Sequence, residues 1–198
     1  SACERMATHR SPGGSTPRSS GTASEPICIC TCSLVSASVG GGVGVPLRPR
    51  VKRNIYRTTY TLPGPGVYQL RYFDIARVND VINMANSGAT AFYVETVLNN
   101  NPFIGQNSSP QLLNDPIDDA CTNYAWTHNP GAYDADGDSL SYALIPNQQY
   151  EPPNFPVPVD VANYQLPGNF GGGLFEIDPE TGIVLWDAAT QPGVYNIA

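Results

Sequence analysis

Histidine, methionine and charged side chains are scarce in this sequence of 198 residues. Only 14% of the residues are charged, and two Met, two His and two Trp stand against 19 Gly and 19 Pro. This composition favours turns and short strands, so helices are expected to be few. His9 and His128 alone leave little for a Ser-His-Asp triad or a zinc site. The sequence therefore predicts an all-β, non-catalytic protein.

Lysine and arginine are absent from residues 107–198, which contain twelve Asp and Glu. All ten basic residues lie in residues 1–106, together with five acidic ones. Twelve acids and no base give the C-terminal half a charge of −12, and such a domain repels itself unless divalent cations or salt reduce the repulsion. The charge argues against a nucleic-acid partner.

Residues 1–50 have neither strand nor helix periodicity, which predicts a largely unstructured segment, either disordered or non-native. Cys28, Cys30 and Cys32 alternate, so they would share one face of a strand. A metal site on these thiols is a weaker alternative, because no His or second Cys pair lies nearby. The uncharged run 27–47 is rich in Gly, Ser and Cys, so we predict no membrane span.

From residue 54 the sequence consists of short β-rich runs separated by turn residues. Runs 55–62 and 67–73 flank a Pro-Gly-Pro-Gly turn and predict a hairpin, and 90–98 predicts a further strand. After a linker at 107–110, we predict strands at 111–113, 124–128, 140–145, 174–177 and 183–186, with a proline-rich insertion at 147–173.

A repeated tetrapeptide indicates two related modules. Pro-Gly-Val-Tyr occurs at 65–68 and again at 192–195, each time in a similar context. We therefore divide the chain into the segment 1–50, a partial β-sandwich at 51–106, and a second β-sandwich at 107–198 that is truncated at its C-terminus.

The loop at 134–138 carries three alternating carboxylates, Asp134, Asp136 and Asp138, around Gly137. Oxygen ligands this close in sequence suit Ca²⁺, and the loop is not an EF-hand because its fourth residue is Gly and its twelfth is Ile145. The alternative is a tight turn with solvated carboxylates. The further candidate ligands are Asp115, Asp118, Asp119, Asp178 and Asp187.

Two other groups of residues have a functional and a structural interpretation. Glu176, Asp178 and Glu180 resemble paired glycosidase carboxylates in composition, but Asp-Pro-Glu-Thr-Gly predicts a turn. The aromatic residues on predicted strands could present a carbohydrate platform, but they more often fill a core, and we assign them to the core. They are Trp126, Tyr142, Phe175 and Trp186.

Residues 134–142 and 175–186 resemble the cadherin-like and Ig-like repeats of bacterial surface proteins, and residues 60–73 resemble the last hairpin of a PKD domain. Residues 54–198 together resemble the repeat region of large secreted Bacteroidetes proteins that carry a gliding motility-associated C-terminal sorting domain. The sorting domain itself is absent, and so is the Trp-Gly-Asp-Gly-like turn expected upstream of the PKD-like hairpin.

This resemblance implies two Ig-like antiparallel β-sandwich modules, PKD-like and then cadherin-like. It also implies type IX secretion, an extracellular or cell-surface location, and a structural or cell-adhesion role without catalysis. Neighbouring Ig-like repeats would be its partners, with surface polysaccharide or protein as further candidates, and calcium would be its cofactor. The alternative is a carbohydrate-binding or spacer module attached to an extracellular polysaccharide-degrading enzyme, with Trp126 or Trp186 as the platform.

Overall fold

The computed structural model describes the backbone of residues 7–9, 27–37, 45–48, 51–75, 77–103, 105, 107–150 and 157–198, with side chains from residue 59 onward. These residues form mostly strands and few helices, which confirms the all-β prediction. The strands are β1 (Ala7–His9), β2 (Ile27–Ala37), β3 (Val45–Arg48), β4 (Val51–Thr61), β5 (Gly66–Asp74), β6 (Phe92–Asn100), β7 (Gln111–Leu112), β8 (Trp126–His128), β9 (Ala132–Tyr133), β10 (Ser139–Ser141), β11 (Gln148–Tyr150), β12 (Pro158–Asp160), β13 (Phe175–Ile177) and β14 (Val184–Trp186). A 3₁₀ turn spans Ser87–Ala89, and the short helix α1 spans Pro167–Gly171.

The strands pair in small antiparallel sheets of two or three. The three-stranded sheets have the orders β2-β4-β3 and β13-β14-β8, and the two-stranded pairs are β1-β10, β5-β6, β7-β9 and β11-β12. Sheets this small are marginal alone, so side-chain packing and loop contacts must stabilise the arrangement.

The hairpin predicted between residues 55–62 and 67–73 is wrong. Strand β4 pairs with β2 and β3, whereas β5 pairs with β6 in a continuous ladder from Gly66 opposite Asn100 to Asp74 opposite Phe92. Pro63 and Pro65 lie between β4 and β5, have no N–H donor and have a fixed φ. This connection therefore disfavours a continuous ladder of hydrogen bonds between β4 and β5. The predicted strand at 90–98 is confirmed as β6.

The sheet β13-β14-β8 matches predicted strands and turns an aromatic face inward. Trp126, Trp186 and Phe175 are directly opposite one another across its three strands. Trp186 is only 4% exposed, and the ring of Phe175 meets it edge-on with centroids 5.6 Å apart. The sequence alternation thus positions the large side chains on the face that packs, as expected for a strand with one buried side.

A hydrophobic cluster joins segments from both sides of residue 107. Val81 and Met84 are buried against Val161, and the half-buried Val78 and Tyr164 pack on them. The proline-rich insertion therefore contributes to the core, and it contains β11, β12 and α1, none of which the sequence predicted. The boundary between 106 and 107 stays a prediction, and these contacts cross it.

Asn83 connects three backbone segments beside this cluster and is 1% exposed. Its Nδ2 donates hydrogen bonds of 2.8 Å to the carbonyl oxygens of Gln165 and Asn196, and its Oδ1 accepts one of 2.9 Å from the Asn196 amide. The Ile82 amide also donates to the Val194 carbonyl at 2.9 Å, which extends the connection. One side chain thus satisfies buried backbone groups that would otherwise lack partners.

Strands β1, β2 and β3 lie in the segment 1–50 that was predicted to be largely unstructured, and its other residues lie outside the described part of the chain. Cys28, Cys30 and Cys32 occupy alternate positions of β2. Within the described residues, no helix has the length and apolar character needed to cross a bilayer.

Replacing Asn83 by Ala should lower the free energy of unfolding by about 2–4 kcal/mol, because it leaves buried backbone groups of Gln165 and Asn196 without partners. Urea denaturation of the N83A variant measures this loss. Asn99, exposed on β6, is the matched control, and N99A should change stability by less than about 0.5 kcal/mol. Equal midpoints for N83A and wild type would contradict this role.

Candidate metal centre

The acidic loop connects β9 to β10 and is shaped by its own backbone. The Gly137 amide donates a hydrogen bond of 3.4 Å to the Asp134 carbonyl, and Gly137 has a φ of 79°. A left-handed φ is readily adopted by glycine and is costly for most other residues. Gly137 therefore allows the chain to reverse between the carboxylates, as the sequence predicted.

Asp134 is the structural centre of the loop and is only 7% exposed. Its Oδ1 accepts hydrogen bonds from the amides of Asp136 at 2.9 Å and Asp138 at 3.3 Å. Its Oδ2 is buried and has no hydrogen-bond partner. A buried carboxylate oxygen without a donor is costly, so this atom requires a cation or another partner.

Asp136 is exposed and reaches the linker that precedes β7. Its Oδ2 accepts a hydrogen bond from the Ser108 amide. The contact brings residues 107–110 against the acidic loop, so a cation bound there would also act on the linker. This contact could not be predicted from the sequence, because Ser108 and Asp136 are 28 residues apart and meet only where the chain folds back.

The described residues contain no ready-made group of three His, Cys, Asp or Glu side chains that could hold a metal. Asp134 Oδ1 faces its own loop amides and Asp136 Oδ2 faces the linker, so these two carboxylates are turned towards different partners. Like charges disfavour convergence unless a cation compensates them. The donor chemistry nevertheless suits Ca²⁺, because the buried Oδ2 is a hard oxygen and the loop carries two more carboxylates.

The further candidate ligands have local structural contacts of their own. Asp118 Oδ2 lies 3.4 Å from His128 Nδ1, and Asp118 Oδ1 accepts a hydrogen bond of 2.8 Å from the Asp119 amide. Asp187 Oδ1 accepts a hydrogen bond of 2.6 Å from the Leu174 amide. A role for these residues or for Asp115 as calcium ligands stays a prediction.

Asp178 stabilises the turn between β13 and β14. Its Oδ1 accepts hydrogen bonds from the amides of Thr181 at 2.8 Å and Glu180 at 2.9 Å. These amides lower the pKa of Asp178 below its ordinary value of 3.8. The interpretation of this segment as a turn is thus supported over paired glycosidase carboxylates.

The two tryptophans do not form an exposed platform. Trp186 is buried, its Nε1 donates a hydrogen bond of 2.7 Å to the Gly172 carbonyl, and Tyr195 meets its ring edge-on at 4.7 Å. Trp126 is half-buried and stacks on His128 with ring centroids 5.9 Å apart. Trp186 therefore has the environment of a core residue, whereas Trp126 packs at the edge of the sheet against His128.

Asp178 should make stability depend on acidity, because its lowered pKa stabilises the fold above pH 3.8 and this contribution is lost as the pH falls through the lower, folded-state pKa. Urea denaturation between about pH 2.5 and 7 should show a steeper acid loss for wild type than for D178N, which retains an acceptor but does not ionise in this range. Parallel curves would contradict the assignment.

Comparisons with known proteins add no assignment to this geometry. No protein-family model matches the chain, and neither the curated proteins nor the solved structures give a match.

Proposed function

We propose that residues 107–198 form a non-catalytic, calcium-stabilised Ig-like module of a secreted or cell-surface bacterial protein, with Asp134, Asp136 and Asp138 as calcium ligands. The observation that carries the proposal is the buried Asp134 Oδ2, which lacks a hydrogen-bond partner. A divalent cation at this oxygen would compensate the buried charge and would draw the neighbouring carboxylates together.

The charge of this half of the chain supports the same proposal. Residues 107–198 contain twelve acidic residues and no Lys or Arg. No Lys or Arg side chain of this half can therefore neutralise the acidic loop. Each bound Ca²⁺ would reduce the self-repulsion by two charges. The calcium therefore serves stability and orientation here, and the proposal involves no reaction.

The contact between Asp136 and the Ser108 amide gives the site a structural role. It connects the loop to the linker at 107–110, which precedes the β7-β9 pair. Calcium at the loop would stiffen this junction and fix the direction in which a preceding module enters. Rigid junctions of this kind suit an extended structural or adhesive protein, and the resemblance to secreted, surface-attached repeat proteins supports that setting.

A carbohydrate-binding role is less well supported. A platform requires exposed, roughly coplanar aromatic rings, whereas Trp186 is buried and Trp126 is half-buried against His128. We therefore do not place a polysaccharide ligand on this sheet.

Calcium should raise the thermal midpoint of the protein relative to a chelator. At a calcium concentration about 100 times the dissociation constant, the gain is about 2.7 kcal/mol, or about 5–11 °C for a chain of this size. Calorimetry in calcium and in chelator measures the shift. The D134N variant keeps an oxygen acceptor for the loop amides but removes the charge, so it should lose most of the shift.

Glu176, exposed on β13, provides the matched control, and E176Q should keep the full calcium shift. Terbium gives an independent readout, because Tyr133 directly precedes Asp134 and would sensitise emission from an ion bound at the loop. An unchanged midpoint in wild type, or a full shift in D134N, would refute the assignment.

A further inference from the structure

Asp136 and Gly137 form the only Asp-Gly pair of the sequence, and they lie in the acidic loop. Both residues are exposed, whereas Asp134, two positions earlier, is buried. Gly137 has a φ of 79°, and no atom outside its chain neighbours lies within 4 Å of the point where a Cβ would stand. No side chain at this position therefore shields the Gly137 nitrogen from the carboxyl group that precedes it.

The hydrogen bonds of the loop hold the Gly137 nitrogen only weakly. Its N–H donates to the Asp134 carbonyl at 3.4 Å, beyond the usual limit of about 3.2 Å for such a bond. The Asp136 amide, by contrast, donates to Asp134 Oδ1 at 2.9 Å. Glycine also changes its backbone torsions more readily than a residue with a Cβ. The Gly137 nitrogen can therefore turn towards the Asp136 side chain with the loss of one weak contact.

The Ser108 amide places a donor at the carboxyl group itself, because it donates a hydrogen bond to Asp136 Oδ2. When a nucleophile adds to a carboxyl carbon, negative charge develops on the oxygens. A backbone N–H directed at one of these oxygens stabilises that charge, as the donors of an oxyanion hole do. The linker thus presents to Asp136 a donor that favours addition at its Cγ.

We propose that Asp136 isomerises to isoaspartate through a cyclic imide. The Gly137 nitrogen bonds to Asp136 Cγ, Oδ2 carries the developing charge beside the Ser108 amide, and Oδ1 leaves as water with the amide proton and one proton from solvent. Water then adds to the main-chain carbonyl carbon of the imide and breaks the bond from this carbon to nitrogen. That carbon becomes the new carboxylate, the nitrogen regains a proton, and no group is oxidised or reduced.

The rearrangement changes the acidic loop. The main chain becomes longer by one carbon between Asp134 and Asp138, and the carboxylate of residue 136 is attached directly to its Cα. A bound Ca²⁺ ion would hold the Asp136 carboxylate and oppose the cyclisation, and this point alone rests on the proposed function.

Peptide mapping of the full wild-type chain tests the proposal after incubation in chelator at neutral pH, with fragmentation that distinguishes aspartate from isoaspartate. Isoaspartate should accumulate at residue 136. Asp138 in the same loop, and the exposed Asp119 and Asp187, which precede Ala, are internal controls and should stay at their starting level. No accumulation at residue 136, or equal accumulation at the three controls, would overturn the proposal.

Two variants test the chemistry of the step. D136E keeps the carboxylate but would need a larger and less favourable ring, so it should lose the signal at residue 136. S108P removes the Ser108 N–H and should slow the accumulation severalfold. An unchanged rate in S108P would overturn the role of the Ser108 amide.

A calcium arm separates this proposal from the proposed function. Excess calcium should slow the accumulation at residue 136 in the wild-type chain. Equal accumulation in calcium and in chelator would count against Asp136 as a calcium ligand and would still establish the isomerisation.

Discussion

The side-chain amide of Asn83 is the constraint on which the described core depends. The sheets around it have only two or three strands each, and none of them encloses a core alone. The amide ties the segment after β5 to the segments at Gln165 and Asn196. Because these hydrogen bonds lie in the interior, losing a partner is costly, and they hold the segment that contains Val81 and Met84 near the segment that contains Val161.

Backbone amides donate hydrogen bonds to several of the carboxylates in residues 107–198. Asp134 and Asp178 each receive two amides from their own turns, and Asp136 receives one from Ser108. Local amides solvate one oxygen of a carboxylate well, but they leave the overall charge unchanged. The second oxygen of Asp134 has no such donor, and the proposed calcium site rests on this atom.

The sequence predicted the parts of the fold that depend on local alternation and turn chemistry. Strands β6, β8, β13 and β14 follow alternating apolar runs, and the turn at Asp178 follows from the residue types that cap turns. Strand pairing could not be predicted in the same way. Strand β5 pairs with β6, which follows later in the chain, and not with the strand on the other side of the turn that precedes it. The acidic loop could be located from its spacing, whereas the Ser108 contact could not.

The role of Asn83 could not be predicted from the sequence for a similar reason. A polar residue in an irregular segment looks solvent-exposed in a sequence, and only the long-range fold shows that its partners are backbone groups far along the chain. The elements within the insertion at 147–173 were missed because prolines mask periodicity, although Val161 and Tyr164 from this insertion help to complete the core.

The separation of 113 residues between Asn83 and Asn196 has a consequence for the order of folding during synthesis. Val81 and Met84 leave the ribosome long before the segments at Val161 and Asn196 are synthesised. Until then, this part of the chain is incompletely packed. Contacts so distant in sequence slow folding and lengthen the time for which apolar surface is open to aggregation. The segment at Val194 and Asn196 therefore completes the hydrogen bonds of Ile82 and Asn83, and a nascent chain stalled before Val194 would be a target for chaperones or proteases.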